Sequence, residues 1–216
     1  ENIITSTNAG NTLDLSTSPS AHTITLTTTH LSGGFDGSVD GVNFINASVM
    51  IGGTGNDTLT GTNLAGSIWT IGAPFLYTVG TNILTFSAIE TAIGGSNNDI
   101  FNISGSRTIN LNGGLGNDQF VFANSAMLNG TMDGQGGNDT LDLQVYANGL
   151  GVTLTAAGST DGMNGLVTAV LPAFSNVDIL LGSTSATNDT LTGANFDATW
   201  HLYDGINNQY AIGVQT

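Results

Sequence analysis

Along most of its length the chain sets Ile, Leu and Val between Thr, Asn and Ser, and Gly or Asn cuts this alternation at short intervals. Successive side chains of an extended strand point to opposite faces, so the pattern predicts many short strands separated by turns. No stretch sustains apolar residues at i, i+3, i+4 and i+7, and the helix formers Lys, Arg, Glu and Gln are nearly absent. The chain is expected to be almost wholly β.

The pattern repeats. "NTLDLSTSPSAHTITLTTTH" (11–30) matches "DTLDLQVYANGLGVTLTAAG" (139–158) at an offset of 128, and "NFINASVMIGG" (43–53) matches "AFSNVDILLGS" (173–183) at 130. "NDTLTGTN" (56–63) then meets "NDTLTGAN" (188–195), and "SIWTI" (67–71) meets "ATWHL" (198–202). Blocks in the same order at nearly constant offset define a first unit over 1–132 and a partial second unit over 133–216, joined as one continuous rod. An array that opens at Glu1 and stops in mid-unit is expected to belong to a longer chain holding further copies.

A finer period runs inside the unit. Asp99, Asp118 and Asp139 follow Gly/Asn turns at spacings of 19 and 21 residues, and Asp57 lies 42 before Asp99. A coil of roughly 20 residues is the scale of one turn of a right-handed parallel β-helix or β-solenoid. Leu59, Phe101, Phe120 and Leu141, each two residues after its aspartate, would then stack as an inward-facing ladder.

Composition narrows the partners. One basic residue, Arg107, stands against 16 Asp and Glu, for a formal net charge of −15. Nucleic-acid binding needs Lys and Arg against phosphates, so it is excluded, and no apolar run is long enough to span a bilayer. The natural counter-charge is a metal cation. The absence of Cys excludes disulfides and thiolate metal sites.

Stacked coils would bring aspartates about 5 Å apart, where two carboxylates repel by roughly 3 kcal/mol at an effective dielectric near 20. Calcium accepts carboxylate and carbonyl oxygens, and glycine lets a turn aim its carbonyls at one point. The same "GNDT" stretch is also a tight turn, because Asn and Asp bond their own backbone. Asp189, in "STSATNDTL" without the glycines, reads as a bare turn.

"GGTGNDTLT" (52–60) and "GGLGNDQFV" (113–121) carry G-G-x-G-x-D-x-U-x, where U is a large apolar residue. "GGSNNDIFN" (94–102) and "GQGGNDTLD" (134–142) depart from it only at Asn97 and Gln135. The chain thus resembles the haemolysin-type, or RTX, calcium-binding nonapeptide family. The resemblance implies calcium held between stacked turns by Asp57, Asp99, Asp118 and Asp139, with Gly53, Gly55, Gly95, Asn97, Gly114, Gly116 and Gly137 in the turns. Family members string nonapeptides in tandem, whereas strand-rich sequence separates these, which favours a β-helix with one calcium-type edge over a tandem β-roll.

No nucleophile motif appears, and His22, His30 and His201 lack partners at zinc-ligand spacing. The chain is therefore expected to be a non-enzymatic β-solenoid module of a giant bacterial surface or secreted adhesin or filament protein, rigidified by calcium outside the cell. Its partners would be calcium, further copies of the repeat, and other chains in an oligomer or filament. Two alternatives stand: a calcium-binding accessory module of a secreted polysaccharide-active enzyme or protease, and an ice- or carbohydrate-binding face built on "TITLTTTH" (23–30).

Overall fold

Strands form where apolar and polar residues alternate. The computed structural model describes residues 11–184, 188–194, 199–202 and 209–213, and among the described residues it is strand and turn with no helix. The first strands are β1 (Asn11–Asp14), β2 (Thr23–Thr29), β3 (Phe35–Val39), β4 (Val42–Ile51), β5 (Thr58–Thr60), β6 (Ser67–Ile71), β7 (Phe75–Val79) and β8 (Asn82–Ser87). Shorter units follow: β9 (Thr91–Gly95), β10 (Asp99–Ile103), β11 (Ser106–Arg107), β12 (Asn110–Leu115), β13 (Gln119–Phe122), β14 (Met127–Leu128), β15 (Thr131–Gly136) and β16 (Thr140–Asp142). The rest are β17 (Gly151–Ala157), β18 (Met163–Val167), β19 (Leu171–Val177), β20 (Ile179–Leu181), β21 (Thr190–Thr192), β22 (Thr199–Leu202) and β23 (Gln209–Gly213). All but the small β11–β14 pair belong to one mixed sheet that does not close into a barrel.

Among the described residues two long parallel ladders organise that sheet, and a shorter one, β1–β4–β8, stacks Leu13, Met50 and Phe86. One long ladder runs β2–β5–β9–β12–β15–β19 and stacks Ile24, Leu59, Ala92, Leu111, Met132 and Phe174 in register. The other runs β6–β10–β13–β16–β20 and stacks Trp69, Phe101, Phe120, Leu141 and Leu180. All eleven side chains of the two long ladders are buried. From Thr91 to Asp142 the chain visits the two ladders in turn, and each G-x-x-N-D turn links one to the other. In the second ladder the Trp69 and Phe101 rings stack at 5.6 Å and 7°, and Phe101 and Phe120 at 4.9 Å and 11°. Parallel in-register pairing forces this, since identical positions of successive strands face the same way.

The expectation of uniform parallel coils needs correction. Among the described residues three consecutive-strand antiparallel meanders interrupt the ladders, β2–β3–β4, β6–β7–β8 and β17–β18–β19, and β23 pairs antiparallel with β20 and β22. Their turns are physically specified. Asp40 and Gly41 join β3 to β4 with φ of 50° and 82°, the two positive values a two-residue hairpin demands. Each meander lengthens one pass, so ladder partners lie 32 residues apart between Trp69 and Phe101 but 19 apart between Phe101 and Phe120. The expected stacking of Leu59 under Phe101 fails for this reason. Trp69 takes that place, and Leu59 stacks with Ile24 and Ala92 in the other ladder.

The meanders at the two ends of the 128-residue offset share their register. Ile24↔Val39 and Leu26↔Gly37 correspond to Val152↔Val167 and Leu154↔Gly165, and both hairpins are irregular between the same two positions. Asn46 and Asn176, 130 apart, are both buried with positive φ. Because Phe120 is buried and stacked while Leu115 is 63% exposed, Phe120→Ala is expected to cost about 3–5 kcal/mol and Leu115→Ala at most about 0.5 kcal/mol. Denaturant unfolding midpoints of the two variants check this.

Candidate functional site

The spacing predicts aspartates stacked along one edge of the coils; the fold buries all four, Asp57, Asp99, Asp118 and Asp139. Three of them form a column in the second ladder: Asp99 opens β10, and Asp118 and Asp139 immediately precede β13 and β16. The backbone N–H of Asp99 donates to Asp118 Oδ1 at 2.7 Å, that of Asp118 to Asp139 Oδ1 at 2.8 Å, and that of Asp139 to Asp178 Oδ2 at 2.9 Å. At the other end the Ser67 hydroxyl donates to Asp99 Oδ1. Every pass thus offers a carboxylate to the amide of the pass before it.

Asp57 does not join this column. It sits in the first ladder, where Asp57 Oδ1 accepts the His22 N–H at 2.7 Å and the Asp57 N–H donates to Glu90 Oε2 at 2.7 Å. Its other oxygen accepts the Gly53 N–H at 2.6 Å. The spacing of 42 from Asp99 is not two equal coils, because the β6–β7–β8 meander lies between. Asp189 is partnered too, accepting the Leu150 N–H at 2.8 Å and the Ser183 hydroxyl at 3.0 Å.

The second oxygens differ in a way that matters. Oδ2 of Asp99, Asp118 and Asp139 is buried without a hydrogen-bond partner. Each is pressed against the first glycine of its own motif, so a Cβ at Gly94, Gly113 or Gly134 would collide with it. The same imagined Cβ would strike the backbone oxygen of Gly113, Gly134 or Asn176 in the next pass. These glycines are required by close approach: they leave room for a carboxylate on one side and a neighbouring carbonyl on the other. The turn glycines singled out from the motif stack backbone on backbone, Gly114 on Gly95, Gly116 on Asn97 and Gly137 on Gly116. Gly53 and Gly55 lie against the 18–21 loop, and Asn97 Nδ2 donates to the Asn63 carbonyl at 2.5 Å.

Sequence reasoning missed Ser67, Glu90 and Asp178, which lack the motif. It also missed Gly94, Gly113 and Gly134. The signal for these glycines was present, because the first motif position is Gly in all four copies while the second and fourth vary.

A buried oxygen without a partner costs about 1–3 kcal/mol, more if charged. Burial therefore pushes Asp99 up to about 6, and burial together with neighbouring carboxylates pushes Asp118 and Asp139 up to about 7. Their donated backbone and hydroxyl bonds only partly oppose this. Among the described residues no three His, Asp or Glu side chains cluster as a metal site, so a cation here would draw on backbone carbonyls as well. No protein family matches the chain, and no curated protein or solved structure matches it either.

Two outcomes follow from this geometry. Gly113→Ala is expected to destabilise the fold strongly, whereas Gly136→Ala, whose Cβ would meet nothing nearer than 3.6 Å, should be close to neutral. Paired thermal melts decide between them. Carboxyls raised above their unfolded value hold protons in the fold that the unfolded chain has already lost, so their stabilisation is full below about pH 4 and disappears as pH rises through about 6 to 7. In chelator, the wild-type melting temperature should fall from about pH 5 to about pH 8. Asp118→Asn, which keeps the Oδ1 acceptor and puts N–H where Oδ2 has no partner, should flatten that fall.

Proposed function

We propose that this chain is a structural β-solenoid module of a large bacterial secreted or cell-surface protein, stiffened by calcium bound along its aspartate column. The observation that carries the reading is the register of Asp99, Asp118 and Asp139, whose three unpartnered Oδ2 atoms each approach a glycine that a backbone carbonyl of the following pass also approaches. Carboxylate and carbonyl oxygens are the donors calcium prefers, and a net charge of −15 leaves one Arg to balance them. Asp99, Asp118 and Asp139 would supply carboxylates, and Gly113, Gly134 and Asn176 carbonyls. Asp57 is left out of this set, since Gly53 already satisfies its second oxygen.

The alternating parallel ladders between Thr91 and Asp142 support the solenoid description, with the meanders as lateral expansions of single passes. Stiffness and length would then be the contribution to the parent protein. The threonine-row alternative finds little support: Thr23 and Thr25 align with Thr58 and Thr60, but the next strand presents Thr91 and Ile93.

Calcium that binds only the folded chain stabilises it by about 2.7 kcal/mol at a hundredfold excess over Kd. Millimolar calcium should therefore raise the melting temperature at neutral pH, magnesium should do much less, and Asp118→Asn should lose most of the response. Identical wild-type melts in chelator and in calcium would overturn the calcium reading.

A further inference from the structure

We propose that Ser18, His22 and Asp40 form a surface acyl-transfer site, in which Ser18 is the nucleophile, His22 the general base and Asp40 the residue that positions the imidazole. His22 Nε2 lies 2.7 Å from Ser18 Oγ, and His22 Nδ1 lies 2.7 Å from Asp40 Oδ2. An ionised carboxylate only accepts, so Nδ1 carries the ring proton and Nε2 is left to take the proton of the serine hydroxyl. Asp40 is held ionised: its hydrogen bonds from His22 and from the Thr23 amide keep its carboxyl below the ordinary value.

The backbone builds this arrangement from three separate segments. The β3–β4 hairpin turn presents Asp40, whose N–H donates to the Thr23 carbonyl while its Oδ1 accepts the Thr23 N–H at 2.9 Å. Asp57 anchors the His22 amide, and the Thr54 N–H holds the Ser18 carbonyl at 2.9 Å. Ser18 and His22 are half-buried and Asp40 is exposed, so the nucleophile is reachable from solvent.

An internal comparison shows that the fold does not need these side chains. At the 128-residue offset stand Tyr146, Leu150 and Thr168. The backbone bonds are nevertheless the same there. Ser18 N–H to Leu15 O becomes Tyr146 N–H to Leu143 O, and Asp40 N–H to Thr23 O becomes Thr168 N–H to Gly151 O. The His22 N–H bond to Asp57 becomes the Leu150 N–H bond to Asp189. Three residues that the scaffold accepts as Tyr, Leu and Thr have become Ser, His and Asp at mutual hydrogen-bond distance.

The chemistry follows from the atoms. Ser18 Oγ bonds to the carbonyl carbon of an ester as its proton passes to His22 Nε2. The bond to the leaving alkoxy group then breaks, and that group takes the proton from His22. Water repeats the sequence on the acylated serine and releases the carboxylic acid. Pro19 has no N–H, so the backbone donor directed at the nucleophile is Ser20 N–H, 3.3 Å from Oγ. That N–H points at the nucleophile and not at an oxyanion, and the Ser18 N–H is taken by the Leu15 carbonyl, so the turnover should be slow. The charge of −15 selects against anionic acyl donors, leaving small neutral esters.

The test uses the whole chain with p-nitrophenyl acetate, followed by peptide mapping. Acetylation concentrated on Ser18, ahead of the chain's other serines, is the expected result. His22→Leu copies the residue found at 150 and should keep its melting temperature while acylation slows by about 100-fold or more. Asp40→Asn should also slow it, with imidazole nitrogen shifts moving to the Nε2–H tautomer. Label absent from Ser18 in the wild type, or spread evenly over serines, would overturn the proposal, as would an unchanged rate in a folded His22→Leu variant.

Discussion

A single recurring bond organises the molecule: the backbone N–H that opens one strand donates to a buried aspartate carboxylate at the same place in the next. Strands in a parallel ladder have no tight hairpin to fix their register, and a slip of one residue would turn every inward side chain outward. The column of Asp99, Asp118 and Asp139 fixes it independently. With each aspartate at or immediately before the first position of its strand, Phe101, Phe120 and Leu141 fall in line two residues later. Register and aromatic stacking follow from where the carboxylates sit.

That solution creates its own problem. One oxygen of each carboxylate is used, and the other is buried with nothing to bind. Burial without a partner disfavours the charged form of such an oxygen. Burial moves the column toward the protonated form near neutral pH. A divalent ion would discharge it instead. Under the proposed calcium reading, protons and calcium would compete to neutralise the same oxygens.

Much of this was legible in the sequence. Alternation of Ile, Leu and Val with Thr, Asn and Ser gave the strands, and the 19- and 21-residue spacings are those of ladder partners between Asp99 and Asp139. The place of Asp57 was not legible from spacing, because a meander adds residues without adding a pass. The Asp40–Gly41 hairpin was a readable signal for one such meander, masked by the assumption of constant coils. The inward turn of the aspartates could have been suspected from the glycine at the first motif position, which varies in none of the four copies. The Ser18–His22–Asp40 contact could not, since it joins a loop to a hairpin tip 18 residues further on.

Amide hydrogen exchange tests the carboxylate column most directly, residue by residue. If each buried aspartate holds the amide of the preceding pass, the amides of Asp99 and Asp118 should be among the slowest to exchange. Asp118→Ala should then deprotect the Asp99 amide more than the amides of Phe101 or Phe120. Unchanged protection at Asp99 in a folded Asp118→Ala protein would show that the carboxylates do not tie the strands together, and the account of register given above would fail.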